Sequence, residues 1–230
     1  MAFNLQIFKT RALTALLFVV VMLVGLLWNF WSFLILFTVI HFGCWYEFVK
    51  LMKKIYGGKY LVYCLLGLIY ITIPILMILD LRRIGIVYKG ESVFADFGYV
   101  IPCGIIFSIW INDTMAYLVG SFIGKTPLSK ISPKKTVEGT VGGIILCVLV
   151  IGLFGQYVIV DLKRNWFIIA AICAIFGTLG DLLESKLKRM ADVKDSGSFM
   201  PGHGGFLDRF DSLLVAVPAV WVYVYFFSNL

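Results

Sequence analysis

Between Ser185 and Asp211 the chain reads SKLKRMADVKDSGSFMPGHGGFLDRFD. This stretch carries five Lys/Arg, four Asp, one of the two histidines, and the turn Pro201-Gly202-His203-Gly204-Gly205. Just upstream, Asp181, Ser185 and Lys188 recur at i, i+4 and i+7, the spacing of a single helix face. An acid, a hydroxyl and a base stacked on one face can bind a cation and an anionic phosphate together. Glycines let backbone amides approach a phosphate, and a helix starting directly after them favours anions. Asp208 and Asp211 follow at i and i+3, on the first turn of the next apolar segment. Acids there also suit the helix dipole, so spacing alone leaves that structural reading open. Four carboxylates (Asp181, Asp195, Asp208, Asp211) among five basic residues fit a hard divalent cation with phosphates. Mg²⁺ takes one or two carboxylate oxygens and lets substrate phosphates complete its shell.

Two more stretches carry polar groups into apolar surroundings. Asp113 lies in SIWINDTMAYLVG, where an ionised carboxylate costs about 2.5–3.5 kcal/mol at a span centre and so calls for a polar cavity. If Asn112-Asp113 instead marks the end of a span, the cost is small. The segment Ser132–Gly139, SPKKTVEG, offers Ser132, Lys134, Lys135 and Thr136 beside a proline and a glycine. That set suits phosphate contact, and equally a basic loop that only orients the chain. His41 and Glu47, six residues apart in an apolar run, do not make a single-face pair and read as packing or interfacial groups. Trp28, Trp31, Trp45 and Trp166 read as interfacial anchors, and Gly142-Gly143 as a site of close helix contact.

These groups must be positioned by membrane helices. Hydrophobic residues make up 61% of the chain and charged ones 14%, against about 25% charged in an average soluble protein. Seven apolar runs are expected as transmembrane helices: Ala12–Trp28, Phe30–Val49, Tyr60–Leu79, Phe97–Ile123, Glu138–Val160, Trp166–Leu183 and Phe210–Phe227. About 20 residues at about 1.5 Å each cross the hydrocarbon core. The expected fold is therefore all-α, a polytopic integral membrane protein forming one membrane domain over residues 1–230. Lys9 and Arg11 precede the first run as in a signal peptide, but no small-x-small cleavage site follows, and the run reads as a retained helix. With the N-terminus inside, fifteen of the twenty Lys/Arg fall in segments 1–11, 50–59, 121–137 and 184–209. The positive-inside rule then gives an N-in, C-out orientation, with both polar loops in the cytoplasm. The net charge of +7 is accounted for by this asymmetry, and no nucleic-acid partner is expected. All five cysteines lie in apolar runs without a C-x-x-C pair, which argues against disulfide scaffolding and zinc.

The Ser185–Asp211 stretch resembles the signature of the phosphatidate cytidylyltransferase (CDP-diacylglycerol synthase) family. That signature runs S-x-hydrophobic-K-R, four residues, K-D, and closes on H-G-G-hydrophobic-x-D-R-hydrophobic-D. NDTMAYLVGSFIGK and ISPKKTVEGTVGG resemble two further family segments, so the likeness covers roughly residues 97–230, while 1–96 matches only in being hydrophobic. Met200 stands where Leu or Ile is usual and Val137 where Trp is common, both apolar changes.

The resemblance implies a Mg²⁺-dependent nucleotidyltransferase of phospholipid biosynthesis. It would join CTP and phosphatidic acid into CDP-diacylglycerol and pyrophosphate at a bacterial-type cytoplasmic membrane. By the same resemblance Asp181, Asp208 and Asp211 hold Mg²⁺, with room for a second cation such as K⁺. Lys188, Arg189, Lys194 and Arg209 bind phosphates, with Ser185 assisting. His203, Gly204 and Gly205 shape the turn, and Ser132, Lys134, Lys135 and Thr136 hold the triphosphate or the lipid phosphate. Asp113 lines the cavity. Alternatives are a related CTP-using membrane enzyme (a polyprenol or phytol kinase, or a CDP-archaeol synthase) and a transporter with a charged vestibule. Transport predicts charge along several spans, whereas here it collects at cytoplasmic ends. Homodimer formation, acyl preference and the lipid's entry route are left open by the sequence.

Overall fold

A computed structural model describes residues 5–84, 86–88, 91–93, 98–159, 164–199 and 204–227. Among the described residues there are eight α-helices: α1 (Leu5–Leu27), α2 (Phe30–Tyr56), α3 (Tyr60–Cys64), α4 (Ile73–Leu81), α5 (Val100–Ile123), α6 (Val137–Phe154), α7 (Trp166–Met190) and α8 (Leu207–Val222). One small exception is an antiparallel hairpin of β1 (Ile86–Tyr88) and β2 (Glu91–Val93), paired Ile86 to Val93. Among the described residues five helical segments are long and apolar enough to cross a membrane: Phe30–Cys64, Val100–Ile123, Val137–Tyr157, Trp166–Met190 and Leu207–Phe227. Ala12–Leu27 and Leu68–Leu81 are shorter apolar helices among the described residues, which leaves the polytopic all-α fold as expected without fixing the number of spans at seven.

The differences from the expected spans have local causes. The expected third span is broken at Leu65, where Leu65 N–H donates back three residues to the Val62 carbonyl. Pro74 then removes the α-type donor for the Tyr70 carbonyl, and Leu68–Thr72 winds as a π-helix just before it. Helix α7 runs seven residues past the expected Leu183, through Leu, Glu, Lys and Arg, all good helix formers that a hydropathy window discounts. Its last turn carries Lys188 and Arg189, which complement the C-terminal dipole.

The chain divides into two compact units, one of residues 1–71 with 187–210 and the other of 72–186 with 211–230. Each draws on both halves of the sequence, so the Ser185–Asp211 stretch packs largely with the N-terminal helices.

In the first unit α1 and α2 form a tight hairpin. Asn29 caps α2, its side chain accepting from Ser32 N–H at 2.8 Å while the Ser32 hydroxyl accepts from Asn29 N–H at 3.1 Å. Such a cap is worth about 1 kcal/mol. Met22 and Leu26 of α1 and Phe33, Phe37 and Ile40 of α2 are buried.

In the second unit α5 and α6 pack through small residues. A Cβ on Gly143 would sit 2.7 Å from Ala116 Cβ, and one on Gly142 2.6 Å from Val119, the close contact expected of this glycine pair. Trp166 corrects the expectation of an interfacial anchor. Its ring is fully buried against Gly104 and Gly155, whereas Trp28 and Trp31 are exposed.

Candidate active site

In the first unit the site is built around Asp208, on the opening turn of α8. Lys188 Nζ lies 2.7 Å from Asp208 Oδ1. The other oxygen, Oδ2, accepts from Ser196 N–H at 2.9 Å, Gly205 N–H at 2.8 Å and contacts the Ser196 hydroxyl at 2.9 Å. The Asp208 side chain is only 6% exposed, so the ion pair is largely out of water. Gly204 is required here. It sits at φ +84°, and a Cβ on it would fall 2.6 Å from Asp208 Oδ2. Lys188 is placed by the end of α7. Val193 N–H donates to the Lys188 carbonyl and Asp192 N–H to that of Arg189, a Schellman-type ending. Asp192 takes the left-handed position, φ 51°, where glycine is usual.

A residue read from the sequence as packing completes this arrangement. Glu47 of α2 is 3% exposed and reaches the same segment. Its Oε2 accepts from the Ser196 hydroxyl at 2.6 Å and Leu207 N–H at 2.9 Å, and its Oε1 from Phe206 N–H at 2.9 Å. Two carboxylates thus meet one N-terminal helix end, where amides and dipole both favour negative charge. Ser196 has one hydroxyl hydrogen and stands between them. The shorter contact, to Glu47, takes it, while Ser196 N–H serves Asp208.

In the second unit Lys135 Nζ lies 2.7 Å from Asp181 Oδ2. Asp211 is 6% exposed, its Oδ1 accepting from Ser212 N–H at 2.6 Å. The charges acting on its carboxyl are those of Asp181, Asp113 and Lys135. Gly180 permits this, because a Cβ there would lie 2.5 Å from the Asp211 carbonyl oxygen. Asn112, buried beside Asp113 in sequence, donates to the Thr178 hydroxyl at 3.5 Å. The loop bearing Lys135 is fixed from below. Thr136 caps α6 by accepting from Gly139 N–H at 3.1 Å, and Glu138 accepts from the Lys125 and Thr126 amides.

The remaining expected site residues fall around these two clusters. Arg189, Lys194 and Arg209 are exposed, with Arg189 donating to the Val193 carbonyl at 3.3 Å. Lys134 and Asp113 are exposed, while Ser132 and Ser185 are half-buried. His203 lies outside the described residues. Among the described residues no three His, Cys, Asp or Glu side chains converge as a metal-ligand group. The donor chemistry nevertheless separates the three acids expected to hold Mg²⁺. Asp211 and Asp181 act on each other electrostatically, with Asp113 and Lys135 within range, an oxygen-rich set of the kind a hard cation takes. Asp208 already accepts from an ammonium and from backbone N–H groups, which fill most of a carboxylate's roughly four lone-pair positions.

Sequence reasoning missed Glu47 and Ser196. An ionisable residue inside an apolar helix was the available signal for Glu47, since such a group is costly unless it has a partner.

Residues 92–227 match the cytidylyltransferase family. The chain belongs to that family. As a cytidylyltransferase-family member it is also similar to curated relatives. It is 44% identical over 122 residues to the phosphatidate cytidylyltransferase of Bacillus subtilis (strain 168), covering 52% of this chain and 45% of the relative. It is 37% identical over 176 residues to the phosphatidate cytidylyltransferase of Staphylococcus aureus (strain COL), covering 75% of this chain and 62% of the relative. A third such relative, from Staphylococcus epidermidis, is 38% identical over a stretch of the same coverage. The alignments thus span between about half and three-fifths of the relatives' length.

Proposed function

We propose that this cytidylyltransferase-family chain transfers the cytidylyl group of CTP to phosphatidic acid, giving CDP-diacylglycerol and pyrophosphate. The observation that carries the reading is the closed cluster of Lys188, Ser196, Gly205 and Asp208. It is the family signature folded into a cationic, amide-lined turn at a helix start. The printed names of the relatives support the lipid acceptor.

In the reaction an oxygen of the lipid phosphate attacks the α-phosphorus of CTP. A new P–O bond forms, the bond from the α-phosphorus to the α–β bridging oxygen breaks, and pyrophosphate departs with that electron pair. The attacking phosphate is already an anion near neutrality, so no side-chain nucleophile is needed. The protein's task is to bring two anions together, which positioning and charge compensation accomplish. Lys188, with Arg189, Lys194 and Arg209 on the exposed side, is assigned to phosphate oxygens, and the Gly204-Gly205 turn to holding Asp208 and the helix start in place. Lys135 serves the second cluster, with Lys134, Ser132 and Ser185 beside it and Thr136 fixing the helix that follows. Asp181 and Asp211 are the acids best suited to hold Mg²⁺, with Asp113 adding negative charge. When bound, the ion would neutralise triphosphate charge. Asp208 is assigned to orienting Lys188.

The concentration of Lys/Arg in segments 1–11, 50–59, 121–137 and 184–209 supports a cytoplasm-facing site in a bacterial-type inner membrane. The test is a purified-protein assay with CTP and phosphatidate. CDP-lipid formation that requires both substrates and stops on chelation of divalent ions is expected. CTP turnover unchanged by omission of phosphatidate would overturn the reading.

A further inference from the structure

Glu47 lies outside residues 92–227, the part of the chain that matches the family, yet it makes three hydrogen bonds to the family signature segment. Its partners are 149, 159 and 160 residues away in sequence. The surroundings are shaped to it. A Cβ on Gly197 would fall 2.1 Å from Glu47 Oε1, and one on Gly205 2.2 Å from both carboxylate oxygens. One turn earlier on α2, Gly43 lets the Phe206 ring sit flat against the helix, where a Cβ would be 2.5 Å from it. Phe206 in turn meets Phe199, with ring centroids 4.1 Å apart and the rings tilted by 34°. So α2 offers a seat of one glycine and one carboxylate, on which Ser196 and Gly197 lie from one side and Gly205, Phe206 and Leu207 from the other.

We infer that Glu47 is a positioning residue for the reaction, tying the Ser196 and Phe206–Leu207 ends of the signature turn to α2 so that Asp208 and Lys188 hold their paired geometry. The coupling runs through Ser196, whose hydroxyl serves Glu47 while its N–H serves Asp208. Through it an N-terminal helix becomes part of the catalytic apparatus. The inference rests on the cytidylyltransferase reading for its kinetic consequence, but not for its geometry.

The test uses the full chain in detergent and the isosteric Glu47→Gln. Gln keeps the shape of Glu but has one acceptor oxygen, and its NH₂ faces a donor N–H. Two readouts are taken. Hydrogen exchange at the amides of residues 204–208 is expected to quicken at least ten-fold in the variant, and exchange unchanged from wild type overturns the inference whether or not the protein is active. Per folded protein, kcat/KM for CDP-lipid formation is expected to fall more than five-fold, with a rise in KM for CTP or phosphatidate. A purely structural role would lower the folded fraction and leave both KM values alone, and that result also overturns it. Ser196→Ala, which removes only the hydroxyl, is judged by the same thresholds should Glu47→Gln fail to fold. A wild-type protein forming no CDP-lipid would sink the proposed function, while the exchange result still decides the role of Glu47.

Discussion

Lys188 and Arg209 sit in different surroundings although both belong to the same basic motif. Lys188 is 14% exposed and paired with a carboxylate that is 6% exposed, whereas Arg209 is on the surface. Removing one member of a buried pair strands the other charge and typically costs about 3–5 kcal/mol. Lys188→Ala is therefore expected to lower unfolding stability by about that amount, while Arg209→Ala changes it by about 0.5 kcal/mol or less. Both variants should lose turnover, Arg209→Ala through phosphate contact alone. Thermal unfolding in detergent beside the CDP-lipid assay separates the two effects, and equal destabilisation would contradict the assigned burial. Much of the site was legible at this scale, because Ser185 to Asp211 gathers its groups within one short polar run. A buried acid at Glu47 signals that it needs partners, but which ones was not legible, because hydrogen bonds spanning about 150 residues leave no local pattern. Nor does sequence show that Asp208 is engaged by amides. That depends on Gly204 adopting a left-handed backbone and bringing the turn around the carboxylate.

At the scale of elements, hydropathy located the apolar helices but misjudged their ends. A window average cannot see that Leu65 and Pro74 interrupt a run, nor that a charged sequence such as ESKLKR continues a helix. The close packing of α5 on α6 was foreseeable from Gly142-Gly143 and is observed. It supports the second cluster, since α6 begins directly after Lys135 and Thr136. Gly143→Leu would force a side chain into the Ala116 contact and is expected to cost about 1–3 kcal/mol. Gly58→Ala, where a Cβ meets nothing within 4 Å, is expected to leave the thermal midpoint unchanged. A midpoint unaffected by Gly143→Leu would contradict the packing.

For the molecule as a whole, the charge asymmetry makes a topological prediction. Cysteines introduced at Lys130 and at Arg83 should differ in reach of an impermeant thiol reagent. In intact spheroplasts the Arg83→Cys protein is expected to label and the Lys130→Cys protein is not, with the reverse in inside-out vesicles. Matching labelling of both from one side would contradict the N-in, C-out proposal.

Which phosphorus of CTP reaches the lipid decides between cytidylyl and phosphoryl transfer. With CTP labelled at the α-phosphate, radioactivity is expected in the lipid fraction, and with γ-label it is expected only in pyrophosphate. Label passing from the γ-phosphate into lipid would mark the chain as a kinase and contradict cytidylyl transfer.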